Sequence, residues 1–178
     1  MEPLHYRSAA ELISDLKNGE LTSVDVTQAF LNRIRQCNDT INAVVTLDEE
    51  KALEKARQAD EVQAQGETLG ALHGLPLTLK DTWEVAGMAC TAGAPALKDY
   101  IPTKHADVVQ RLEDAGAIIL GKTNVPIYAT DLQSYNKLFG VTNNPHNLAH
   151  TPGGSSGGAA AALAAGMTPL EVGSDLAG

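Results

Sequence analysis

Cysteine is scarce in this chain of 178 residues, which has two, Cys37 and Cys90. Their separation fits no metal-binding or redox pattern, so both are expected to be free thiols in a reducing compartment, with the cytoplasm as the default location. Basic residues are also few: 13 Lys and Arg stand against 22 Asp and Glu, a formal net charge of −9. The acidic excess is spread along the chain, without the basic footprint that nucleic acid or an anionic membrane requires, so neither is expected as the main partner. No apolar run approaches the ~20 residues that span a bilayer. The opening Met1-Glu2-Pro3-Leu4 lacks a basic flank ahead of an apolar core, so no secretory signal is expected. What remains is 43% apolar and 20% charged, which is enough for one domain with its own core.

Local patterns give the order of elements. Ser8-Ala-Ala-Glu11 is a capping box that opens a helix through about Asn18, with Gly19 as its stop. Ser23 is expected to cap a second helix that presents Val24, Phe30, Leu31 and Ile34 on one face and ends near Cys37. Residues 41–47 are β-branched and apolar and predict a strand; residues 48–65 predict a charged helix. Leu75 to Leu79 reads as a buried strand that delivers Lys80 at its end. A buried lysine is unusual because desolvating an ammonium is unfavourable, and either a partner such as Asp81 or a lowered pKa must accommodate it. Asp107 to Ala115 predicts an amphipathic helix with Val108, Val109 and Leu112 inward, and Ala117 to Leu120 a strand, so that strand, helix and strand suggest a crossover within a helix-covered sheet.

Gly116-Ala-Ile-Ile-Leu-Gly-Lys-Thr123 satisfies a phosphate-binding pattern letter for letter. Phosphate binding needs the middle of that pattern as a loop of free N–H groups, whereas here it is strand-like and follows a helix. The expectation is a strand leaving through a turn at Gly121 to Asn124. Residues 125–151 read as polar loop. His146 and His150 lie there, and a triad using either with Asp131 or Asp175 is unsupported, because the strand-elbow pattern G-x-S-x-G is missing.

The most informative stretch is Pro152-Gly-Gly-Ser-Ser-Gly-Gly158, followed by an Ala-rich run and by Val172-Gly-Ser-Asp-Leu-Ala-Gly178. Taken alone, the Gly/Ser stretch is also what a flexible linker looks like. The strong helix formers of 159–165 favour a helix that begins among the glycines and aims free N–H groups at the serines. Together with Gly74-Leu-Pro-Leu-Thr-Leu-Lys-Asp81 and Ala115-Gly-Ala-Ile-Ile-Leu-Gly-Lys-Thr-Asn124, this segment resembles the amidase signature family of serine hydrolases.

That resemblance implies an α/β fold with a mixed β-sheet covered by helices, of which residues 1–178 would be the N-terminal portion of a single, longer domain. It implies a Ser-Ser-Lys arrangement: Lys80 as general base, Ser155 on a cis peptide bond after Gly154 as proton relay, and the nucleophile as the serine after Gly178, at a position 179 that the chain does not contain. The N–H groups of Leu176, Ala177 and Gly178 would form the oxyanion hole. Gly153, Gly154, Ser156 and Asp175 would shape the site, Ser156 by capping the next helix and Asp175 as an acceptor in the turn; a plain turn aspartate reads equally well. The implied reaction is hydrolysis of a small-molecule amide with no cofactor or metal, and a homodimer is one assembly it allows. A glutamine-hydrolysing subunit of a tRNA-dependent amidotransferase is the alternative within the family, although residues 127–136 look more like free-standing amidases. Relatives often carry an acidic residue after Asn-x-Pro where this chain has Ile127 and Tyr128. A catalytically inactive, truncated interaction module is the alternative outside enzymology.

Overall fold

Ser8 and Glu11 cap each other: the Glu11 N–H donates to Ser8 Oγ at 3.3 Å and the Ser8 N–H to Glu11 Oε2 at 2.8 Å. This starts α1, Ala9–Asn18, which ends on Gly19 in the left-handed conformation at φ 72°. The computed structural model describes residues 3–175. The second helix, α2, spans Ser23–Ile41. Its cap is Thr22, not the expected Ser23: Thr22 Oγ1 receives the Asp25 N–H at 3.0 Å, while Ser23 lies inside the first turn with its N–H donated to Asp60 at 2.6 Å. It also runs past Cys37 to a left-handed Asn42, so that strand β1 is only Val44–Leu47. The intervening turn is fixed by Asn38, whose Oδ1 accepts the N–H groups of Ala43 and Val44 at 2.9 Å each. Helix α3, Glu49–Ala64, is capped by Asp48.

The sheet follows from the next two strands, β2, Pro76–Lys80, and β3, Ile118–Thr123, with α4, Asp107–Asp114, between them. Strand β3 is longer than expected, since Gly121 to Thr123 continue it instead of turning away. Local sequence hides this because Lys122 and Thr123 are polar, yet both are fully buried and satisfied by distant partners. The same observation disposes of the phosphate-binding pattern, whose last six residues are all buried strand. Residues 125–151 contain a small hairpin, β4, Tyr135–Asn136, and β5, Gly140–Val141, where loop was expected. Helix α5, Gly157–Ala164, and strand β6, Glu171–Val172, complete the described elements.

The four-stranded sheet has the order β1-β3-β2-β6, with β2 parallel to both β3 and β6 and β1 antiparallel to β3. It is the mixed sheet with helices that the motifs implied. Side chains alternate across it. Ile118 and Leu120 pack with Leu12, Phe30, Leu31 and Ala162 in the larger core, whereas Leu77, Leu79 and Ile119 pack with Val109 and Met88 on the opposite face. Thr78 and Lys80 therefore point to the α5 side. Glycine is required where α5 crosses the strand end, because a Cβ on Gly158 would overlap the backbone N and O of Asn124. Gly158→Ala is thus expected to destabilise by about 1–3 kcal/mol through overpacking, reversing the gain of roughly 1 kcal/mol that alanine brings to an open helix position. Urea unfolding of the variant checks the sign.

Candidate active site

Lys80 is fully buried at the C-terminal end of β2. Its Nζ lies 2.6 Å from Ser155 Oγ and donates to the Ser174 carbonyl at 3.0 Å. Burial pushes its pKa down from the ordinary lysine value, and the nearby Asp175 carboxylate pulls the other way. The expected bland partner, Asp81, faces elsewhere: it pairs with Lys122 at 3.6 Å. The neighbouring residues of one strand end thus hold their charges in separate settings.

Ser155 reaches Lys80 through a cis peptide bond between Gly154 and Ser155. The preceding loop closes tightly, since a Cβ on Gly154 would come within 2.6 Å of the Gln133 N and 2.9 Å of the Asp131 carbonyl. Gly153 has φ 87°, a left-handed conformation suited to glycine. From the other side, the Gly158 N–H donates to the Asn124 carbonyl at 3.2 Å, which ties the start of α5 to the end of β3.

Ser156 occupies the N-cap position of α5 but makes no side-chain cap. Its hydroxyl instead donates to the Ser174 carbonyl at 3.0 Å and accepts the Ser174 N–H at 3.2 Å. The capping role that the resemblance implied is corrected: Ser156 staples the segment after β6 to the serine turn, and the Ser174 carbonyl receives both Ser156 and Lys80. Ser174 went unnoticed in the sequence because its contribution is backbone. Asp175 is exposed and acts on Lys80 through its charge. Leu176, Ala177 and Gly178, the expected oxyanion donors, lie outside the described residues, as does the nucleophile expected after them.

Beneath this site, Asp81 organises the loop after β2. Thr91 donates to it from both its N–H, at 3.2 Å, and its hydroxyl, at 2.5 Å, and the Ala92 N–H donates to the Asp81 carbonyl at 2.9 Å. Desolvation raises the Asp81 pKa, while Thr91 and Lys122 oppose that rise. Lys122 Nζ also donates to the Trp83 carbonyl. His146 and His150 are exposed and do not join the site. Both cysteines are free. Among the described residues no cluster of His, Cys, Asp and Glu is arranged to hold a metal, and no helix is long and apolar enough to cross a membrane.

A buried lysine, a serine at hydrogen-bond distance on a glycine-flanked turn, and the sheet that presents both can be set beside known proteins. The sequence model of the amidase family matches residues 25–178. The chain belongs to the amidase signature family. It is 44% identical over 171 residues to the glutamyl-tRNA(Gln) amidotransferase A subunit of Salinispora tropica, an alignment that takes in 96% of this chain and 35% of that protein. Among solved members, a fatty acid amide hydrolase superposes with a TM-score of 0.93 at 33% identity, covering 97% of this chain and 31% of that one. The peptide amidase of Stenotrophomonas maltophilia does so with a TM-score of 0.89 at 38% identity, covering 95% and 36%. The chain therefore spans about a third of the length of the family members it matches.

Proposed function

We propose that this chain carries the base and the proton relay of an amide-bond hydrolase. The observation behind the proposal is the 2.6 Å approach of Lys80 Nζ to Ser155 Oγ at a desolvated strand end. A lysine whose burial favours the neutral amine has a lone pair to offer, which a solvated ammonium lacks. The nucleophilic serine, expected just after Gly178, attacks the amide carbonyl carbon, and its proton passes to Ser155 while the Ser155 proton passes to Lys80. Backbone N–H groups of Leu176, Ala177 and Gly178 receive the oxyanion, at a typical value of about 3 kcal/mol per donor. Collapse of the tetrahedral intermediate breaks the C–N bond, and the proton held by Lys80 returns through Ser155 to the departing amine. Water then attacks the acyl-serine by the same route in reverse and releases the carboxylate. The substrate class is a small-molecule amide, and two free thiols fit a reducing, cytoplasmic setting.

The test is the intact mass of the purified gene product before and after a fluorophosphonate that labels activated serines. A single adduct is the expected result, and an unmodified mass overturns the reading. The likeness to the A subunits of amidotransferases favours a second reading, in which glutamine is the amide donor and the chain works beside partner proteins. Glutamine hydrolysed far faster than other primary amides, together with co-purifying partners, would favour it over a free-standing amidase.

A further inference from the structure

Glu171 is an acidic residue that the amide-cleaving chemistry above does not use. It lies on β6 directly opposite Thr78 of β2, two positions before Lys80 on the same face. Its carboxyl crosses β2 completely: the Thr78 hydroxyl donates to Oε2, and Oε1 lies 2.9 Å from Thr123 Oγ1 on β3. One side chain thus spans three strands beneath the lysine, and both threonines are fully buried.

Proton accounting indicates which form of the acid belongs there. Thr123 Oγ1 is within reach of two acceptors, Glu171 Oε1 at 2.9 Å and the Leu79 carbonyl at 3.3 Å, but a hydroxyl has one proton to give. If Glu171 is ionised, one of those contacts goes without a hydrogen. If it is neutral, its O–H donates to Thr123, Thr123 donates to the Leu79 carbonyl, and Thr78 donates to the remaining oxygen, so every contact is satisfied. Leu79 is the residue before Lys80.

We propose that Glu171 is a positioning residue for Lys80: a carboxylic acid whose neutral form fastens β2, β3 and β6 under the lysine and keeps negative charge away from it. The carboxyl is desolvated, which pushes its pKa up to about 7, against the opposing pull of Thr78, Thr123 and Lys122. The charged group that acts on it is Lys122 on β3, and Lys80 follows Thr78 by two residues on the same face of β2; α5, which packs over these strands, is Gly-Gly-Ala-Ala-Ala-Ala-Leu-Ala and contributes none. Ionisation of Glu171 adds a carboxylate on the Lys80 face of the sheet and so favours the ammonium, the form that cannot act as a base.

This inference rests on the reading of Lys80 as the base, but its test does not require turnover. The gene product is labelled with ¹³C at lysine Cε, the Lys80 signal is assigned by its loss in a Lys80→Met variant, and its shift is followed with pH in the wild type and in Glu171→Gln. Glutamine reproduces the neutral acid, donating from its amide nitrogen and accepting at its oxygen. The expected wild-type curve has two steps, one where Glu171 ionises at about 7 and the main one where Lys80 itself loses its proton. In Glu171→Gln the first step is gone and the main midpoint moves to lower pH. A wild-type curve with no step in that region overturns the proposal without any variant, and so does a step that survives in Glu171→Gln. Failure of the hydrolase reading shows instead as a protein that takes no fluorophosphonate while the two-step titration persists.

Discussion

Replacing Lys80 with methionine is expected to slow fluorophosphonate labelling by about 10²- to 10⁴-fold, the usual contribution of a positioned general base, while leaving the unfolding temperature unchanged or higher. The two halves of the result have one cause. The lysine nitrogen is fully buried, and its desolvation disfavours the charged form in the folded protein. Methionine fills a similar volume without that penalty, so the fold gains what the chemistry loses. Ser155→Ala should slow labelling as well, because it removes the proposed relay and leaves Lys80, among the described residues, only the Ser174 carbonyl. The pH dependence has a defined sign: labelling rises with pH as Lys80 loses its proton, through a midpoint below the ordinary lysine value. A Lys80→Met protein that labels at the wild-type rate would remove Lys80 from the mechanism.

The buried strand end that carries this lysine was legible because its signal is local. A run of apolar residues that ends in Lys-Asp, and a glycine-flanked pair of serines followed by helix formers, are both visible within a window of ten residues. The same holds for the Ser8 and Glu11 cap and for Gly19 at the end of α1. What escaped was everything whose reason lies far along the chain. Gly121 to Thr123 read as a turn because Lys122 and Thr123 are polar, and their burial makes sense only once Asp81, Trp83 and Glu171 are in place around them. Ser156 sits where a cap belongs, and no local rule says that Ser174 takes its hydroxyl. The first turn of α2 is also held from afar, since Asp60, more than thirty residues away, accepts the N–H groups of Ser23 and Val24. Glu171 drew no notice, since a lone glutamate in a two-residue strand has no periodicity to mark it.

The largest effect on stability should come from the ion pair under the site. Lys122→Met leaves the Asp81 carboxylate buried with, among the described residues, only the donors of Thr91. Removing one member of a buried pair typically costs about 3–5 kcal/mol, a large share of the ~5–15 kcal/mol that holds a domain together. The loss should depend on pH in a direction fixed by Asp81. Its folded pKa already lies above the ordinary value because of desolvation, and loss of the lysine charge moves it further up. A group raised in the folded state contributes stability that is fully present below its unfolded pKa and disappears as pH rises through the folded one. Urea unfolding should therefore find Lys122→Met closest to wild type in acid and furthest from it at neutral pH. Adding Asp81→Asn should recover much of the neutral-pH loss, because the stranded charge is gone. Equal losses at both ends of the pH range would mean that packing around Lys122, not its charge, is what the fold uses. Because Asp81 is the next residue after Lys80 and its carbonyl holds Ala92, the Lys122→Met protein should also label slowly under conditions where it is still folded. The double variant should label faster than the single one if the charge, and not the lost donor to Trp83, displaces the base.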